Sequence, residues 1–176
     1  MEMGWDELIN ECNNCNKCSL SKNKKNVVIG KGNRGARVLF IGEGPGEQED
    51  KTGIPFVGAA GKLLDLLIEA FMFEEKDYYI ANIVKCRPPG NRVPTPEEAE
   101  ACMPYLKRQI ELINPDIIVC LGATALKYFV DENARITKIR GQWIEKENCL
   151  VLPTFHPAAL LRDNSKKIPM WEDFKK

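Results

Sequence analysis

Val38-Leu39-Phe40-Ile41 runs directly into Gly42-Glu43-Gly44-Pro45-Gly46, a short apolar run ending in a glycine-rich turn, and the same grammar recurs along the chain. Tyr78-Tyr79-Ile80-Ala81-Asn82-Ile83-Val84 leads into Lys85-Cys86-Arg87-Pro88-Pro89-Gly90, and Ile117-Ile118-Val119-Cys120-Leu121 into Gly122. Leu150-Val151-Leu152 leads into Pro153-Thr154-Phe155-His156-Pro157. Each run is short and rich in branched side chains, which suits a strand covered on both faces. Helical periods fit between them. Ala59 to Phe73 places Leu63, Leu64, Leu67, Ile68 and Phe71 on one face. Thr95-Pro96-Glu97-Glu98 is a start signal, with a hydroxyl N-cap, proline at the first position and acids in the first turn. That helix carries Met103, Leu106, Ile110 and Ile113 until Asn114-Pro115 stops it, and a third is expected from near Gly122 to about Val130. Strands alternating with helices predict a single α/β domain over residues 1–176. Its expected form is three α/β/α layers around a mostly parallel sheet of about four strands, joined by right-handed crossovers.

The composition agrees. The 176 residues are 44% hydrophobic and 28% charged, enough apolar side chain to offset the entropy of ordering the chain. The longest apolar stretch, Ile117 to Leu126, is about half of the roughly 20 residues a membrane span needs. The first residues, Met1-Glu2-Met3-Gly4-Trp5-Asp6-Glu7, are acidic where a signal peptide carries lysines, so no export is expected. Lys plus Arg and Asp plus Glu are 25 each, so no global field attracts an anionic partner. The basic residues are grouped, however: Lys17 to Arg37, then Lys85, Arg87 and Arg92, then Arg162, Lys166 and Lys167. Local patches of that kind can hold phosphates without a basic isoelectric point.

In parallel sheets the working loops lie beyond the carboxyl ends of the strands. Glu43, Asn82, Gly122 and His156 stand at the ends of the four runs, so four loops are expected to converge on one sheet edge. The seven cysteines, an odd number without a secretion signal, point to reduced thiols or metal ligands. Cys12, Cys15 and Cys18 are spaced C-x2-C-x2-C, while Cys86 and Cys102 follow the second run. A zinc ribbon would supply a second C-x2-C, and a ferredoxin run would continue with x3-C-P; neither is present. Two ligands from an N-terminal loop and two from elsewhere fit an iron–sulfur cluster that pins the N-terminus. Cys120, inside an apolar run, reads as a small buried hydrophobe, and Cys149 has no assigned role. Gly42-x-Gly44 could begin a nucleotide-binding glycine loop, but Glu47 stands where the third glycine belongs.

With these residues in view, the chain resembles the family 4 uracil-DNA glycosylases, the iron–sulfur type. The likeness rests on Cys15-x2-Cys18, Gly42-Glu43-Gly44-Pro45-Gly46-Glu47-x-Glu49-Asp50 and Gly53-x-Pro55-Phe56-Val57-Gly58. It continues through Asn82-Ile83-Val84-Lys85-Cys86-Arg87-Pro88-Pro89 and His156-Pro157-Ala158-x-Leu160-Leu161-Arg162. The resemblance implies one 4Fe-4S cluster on Cys15, Cys18, Cys86 and Cys102, with Cys12 an extra thiol. It implies an enzyme that flips uracil from single- or double-stranded DNA and hydrolyses the N-glycosidic bond. Phe56 is then the stacking platform, Gly42 and Gly44 allow close approach, and Asn82 reads the base edge. His156 donates to uracil O2, while Glu43 or Glu49, with Asn91 a further candidate, orients the water or favours the cationic sugar. Leu160 and Leu161 suit an apolar wedge beside Arg162 as a phosphate clamp, and the helix starting at Gly122 offers N–H groups to another phosphate. The sole histidine and the lack of an inserted basic loop set the chain apart from the subgroup that traps DNA covalently. A monomeric, cytoplasmic, nucleoid-associated prokaryotic enzyme is expected. The competing expectation is an iron–sulfur DNA-binding module without chemistry, which the cysteines and basic groups alone fit equally well.

Overall fold

A computed structural model describes residues 4–22, 24–71, 73–146 and 149–174. The four apolar runs become β2 (Val38–Gly42), β3 (Tyr78–Asn82), β4 (Ile117–Leu121) and β6 (Cys149–Thr154). They lie side by side, all parallel, in the order β3-β2-β4-β6. The sheet has six strands rather than four. Two short antiparallel strands, β1 (Lys31–Gly32) beside β3 and β5 (Ile144–Lys146) beside β6, close its edges. They escape a search for apolar runs because an edge strand is short and half-solvated.

Alternation along the strands sorts their side chains into two cores. Leu39, Ile41, Tyr79, Ala81, Ile118, Cys120 and Val151 face one way, against residues of α4 (Pro96–Ile113) and α5 (Ala123–Phe129). Val38, Phe40, Ile80, Val119 and Leu121 face the other, against residues of α3 (Ala59–Ala70), α7 (Pro157–Arg162) and α8 (Lys167–Phe174). Three layers follow, and Cys120 is wholly buried, as its place in an apolar run suggests. The Thr95 hydroxyl accepts the Glu98 amide at 3.2 Å while the Glu98 carboxylate accepts the Thr95 amide at 2.9 Å, a reciprocal cap that starts α4 as the sequence predicts. Asn114, in the left-handed region at φ 53°, ends it.

Five helices come from stretches without a long period, the short α7 after His156 among them. α1 (Trp5–Asn13) packs Leu8 and Cys12 on Tyr105 of α4, α2 (Glu47–Thr52) follows the glycine turn, α6 (Ile136–Ile139) precedes β5, and α8 closes the described chain. Among the described residues no helix is long and apolar enough to cross a membrane.

Candidate active site and cysteine cavity

The chain passes from β2 to β3 on one side, then reaches β4 on the other side of β2 and moves on to β6. Strand order therefore reverses between β2 and β4, the place where open α/β sheets bind ligands. Glu43 follows β2 there, and Thr124 of α5 donates its hydroxyl proton to Glu43 Oε1 across the crevice at 2.5 Å. Around this bond opens a cleft of about 670 Å³, with Gly44, Glu49, Asn91, Gly122, His156 and Arg162 also on its walls.

Behind the cleft, parallel register sets Asn82 beside Gly42. A Cβ on Gly42 would stand 2.5 Å from Asn82 Oδ1 and 2.6 Å from Phe56 Cζ, so only glycine lets the carboxamide and the ring come so near. Asn82 is 2% exposed, and its Oδ1 is the buried side-chain oxygen left without a hydrogen-bond partner among the described residues. An orphaned acceptor costs about 1–3 kcal/mol, so this one stands ready for a donor. Phe56 holds a left-handed backbone at φ 54°, and its ring stacks on His156 with centroids 5.5 Å apart. The strained turn is held by Glu49. Its Oε1 accepts the Gly46 amide at 2.9 Å, and its Oε2 accepts those of Val57 at 2.9 Å and Gly58 at 2.8 Å.

His156 caps α7: its Nδ1 accepts the Ala158 amide at 3.0 Å. With Nδ1 an acceptor, the neutral ring carries its proton on Nε2, which is the free donor. Burial, helped by the Arg162 cation and opposed by Glu49, pushes the imidazole down to about 4, so it is neutral at pH 7. Gly122, at φ 94°, seats the histidine: a Cβ there would lie 2.8 Å from His156 Cβ. The Gly122 amide donates to the Thr154 carbonyl at 2.8 Å, so any phosphate contact falls to later amides of α5, not to Gly122 itself.

Two other expectations change. Leu160 is 1% exposed and packs in the core, so it cannot be a wedge; Leu161, at 53%, is the projecting side chain. Lys85, grouped by sequence with surface cations, is fully buried. Asn91 lies on an exposed left-handed turn at φ 59°, with its Oδ1 accepting Arg87 Nε at 2.7 Å. Sequence reasoning did not reach Thr124, or the lock at the end of β6. There the Thr154 hydroxyl donates to Asp173 of α8 at 2.6 Å, and Arg140 pairs with the same carboxylate at 2.9 Å. Single polar residues far apart in sequence carry no pattern that would have revealed either.

Cys12, Cys15, Cys18, Cys86 and Cys102 all line one small cavity between α1, the loop after it and α4. Among the described residues no three His, Cys, Asp or Glu side chains converge on one point as a single ion requires; the thiols are spread around a space. Lys85 walls the same cavity, its Nζ donating to the Asn82 carbonyl at 2.9 Å and to Gln109 Oε1 at 2.5 Å. Thiolates at Cys102 and Cys12 would favour its ammonium. A buried ammonium costs several kcal/mol unless an anion offsets it. Burial also pushes the Cys12 and Cys86 thiols up to about 12, so a cation is needed to bring out their thiolates. Several thiolates sharing iron meet both requirements, so the residues fit an iron–sulfur group.

The family model of the Uracil DNA glycosylase superfamily matches residues 29–175. A type-4 uracil-DNA glycosylase of Thermotoga maritima is 55% identical over 153 residues, covering 85% of this chain and 79% of its own. The type-4 enzyme of Sulfurisphaera tokodaii is 49% identical, covering 87% of this chain and 74% of its own. That of Archaeoglobus fulgidus is 44% identical, covering 97% and 90%.

Proposed function

We infer the activity from the family: this chain belongs to the uracil DNA glycosylase superfamily, and it is a DNA repair enzyme that excises uracil and leaves an abasic site. The observation that carries the reading is the orphaned Asn82 Oδ1 beside Phe56 and His156. A module that only held DNA would have no use for a buried carboxamide oxygen without a donor.

Uracil in a duplex is out of reach, so the nucleotide is rotated out at a cost of a few kcal/mol. The freed base enters beside Phe56 and His156, with the Phe56 ring as its stacking platform. Asn82 Oδ1 accepts from uracil N3–H and its NH₂ donates to O4. Cytosine reverses both complements, and each unmet partner costs about 1–3 kcal/mol. As the glycosidic bond lengthens, negative charge gathers on the departing base. His156 Nε2–H, fixed by the cap on Nδ1, donates to O2 as that charge grows. The two candidate carboxylates divide their work. Both Glu49 oxygens are committed to backbone amides, whereas Glu43 Oε1 meets only Thr124, so Glu43 is the carboxylate placed to orient water toward the cationic sugar. Arg162 and Lys166 on the cleft wall suit phosphates, and Leu161 suits the vacated stack.

Cys15, Cys18, Cys86 and Cys102 hold one 4Fe-4S cluster in this proposal. Cys86 and Cys102 each have both Cys15 and Cys18 among their electrostatic neighbours, as a shared site requires. When bound, the cluster would tie together the chain segments that carry these four cysteines. The enzyme works as a single-domain monomer on uracil-containing DNA in the cytoplasm.

The test is excision from uracil-containing single- and double-stranded oligonucleotides, followed by alkaline cleavage of abasic sites. Strand breaks that vanish in Asn82→Ala are expected. Absence of breaks with cluster-loaded protein would refute the assignment.

A further inference from the structure

We propose that Cys12 is a reserve ligand for the cluster, able to take over the iron that Cys15 holds; this rests on the cluster reading above. Four thiols suffice for a cubane, yet five line the cavity. The fifth is not a stray core cysteine. Cys120 shows what that looks like, wholly buried in the sheet core and away from the cavity.

Cys12 instead sits three residues before Cys15 at the end of α1, where the Cys15 amide donates to the Cys12 carbonyl at 3.2 Å. Cys15 lies just past the helix end, and that bond keeps the turn tight while both side chains line the same cavity. Cys12 is 2% exposed and packs among Leu8 and Tyr105, with Cys15 and Cys102 against the same small core. Cys15 packs against that small core, whereas Cys18 and Cys86 belong to the larger core beside the sheet. That asymmetry says which ligand it can replace. Lys85 is within electrostatic range of both Cys12 and Cys102, so a thiolate at position 12 would be balanced as well. The exchange involves no oxidation or reduction. One thiol loses its proton and forms an iron–sulfur bond as the Cys15 bond to that iron breaks, and Cys15 takes up a proton.

The experiment compares iron and sulfide content and absorbance near 400 nm in wild type, Cys12→Ala, Cys15→Ala, the double variant, Cys18→Ala and Cys86→Ala, with circular dichroism to establish folding. The expected result is a brown Cys15→Ala protein, with colour lost in the double variant, in Cys18→Ala and in Cys86→Ala. A folded, colourless Cys15→Ala would overturn the proposal, as would a double variant that keeps its iron. A colourless wild type would refute the cluster reading itself. If Cys15→Ala does not fold, bleaching by an iron chelator decides. Cys12→Ala should bleach several-fold faster than wild type while Cys120→Ala does not, and equal rates for Cys12→Ala and wild type would overturn the proposal.

Discussion

Lowering the pH tests the role of His156 with unusual clarity, because the chain holds a single histidine. Its imidazole is pushed from 6.5 to about 4, chiefly by burial. At pH 5.5 an ordinary histidine would be about 91% charged, and this one about 3%. The ring should therefore remain a neutral Nε2–H donor down to pH 5.5, and the single-turnover excision rate should show no inflection near 6.5 that His156→Gln removes. The stability consequence has a definite sign. Between pH 6.5 and 4 the unfolded chain binds a proton that the folded chain refuses, so stability rises with pH across that window and is intact above it. The loss attributable to this residue is about 1.4 kcal/mol at pH 5.5 and approaches roughly 3 kcal/mol below pH 4. Urea unfolding of wild type and His156→Gln at stepped pH isolates it, since the carboxylates titrate in both proteins and cancel in the difference. Proton NMR of the one imidazole reads the same quantity directly. A midpoint near 6.5, together with an excision step at that pH, would show that the histidine acts as a charged acid and would refute the neutral-donor mechanism.

The other predictions concern packing and the two carboxylates. Gly42→Ala forces a methyl group to within 2.5 Å of Asn82 Oδ1, and should abolish excision at a stability cost of about 1–3 kcal/mol, read by the oligonucleotide assay and by urea unfolding. Leu160→Ala should cost about 2–5 kcal/mol of stability, whereas Leu161→Ala should leave stability unchanged and weaken excision from duplex more than from single-stranded substrate. Glu49→Ala removes three backbone bonds and should lower the unfolding midpoint sharply, while Glu43→Ala should unfold like wild type and lose its excision rate.

The parallel sheet was legible because its four central strands are covered on both faces and so read as uninterrupted apolar runs. β1 and β5 were not, since edge strands need no such run. The convergence of Asn82 and His156 was legible too, because strand direction carries both strand ends to the same edge, whereas Phe56, on the loop before α3, was placed by the family likeness. What the sequence withheld was the division of labour among like residues. Glu43 and Glu49 are indistinguishable as letters, and only the amides of Gly46, Val57 and Gly58 make one of them a staple. Leu160 and Leu161 are adjacent, and the helical turn sends one inward and the other into solvent. Lys85 looked like a surface cation because nothing in a neighbouring cysteine announces that a cavity will need its charge.

The segment from Asn82 to Cys102 explains why a hydrolase would keep a cysteine cavity behind its cleft. After β3 the chain must cross to α4 through a loop whose described structure is little more than the turn Pro89–Asn91. A loop of that kind is entropically expensive to hold in one shape. Yet it carries Asn91 and Arg92 on the wall where DNA would lie. With the proposed cluster bound, Cys86 would fix one end and Cys102, on α4, the other. The polar bonds run the same way: Lys85 reaches back to the Asn82 carbonyl, and Arg87 grips Asn91. Arg92 meets Glu98 with two nitrogens at 2.7 and 2.8 Å and holds its carboxyl down at about 2. Glu98 in turn accepts from Ser19, next to Cys18 in the N-terminal loop. Contacts continued along the chain therefore join Cys18, Cys86 and Cys102 to Asn82 and the cleft wall. A group seated in the cavity would fix the loop from both ends at once, which a hydrophobic plug of the same size would not do, because it would leave the Lys85 ammonium without an anion.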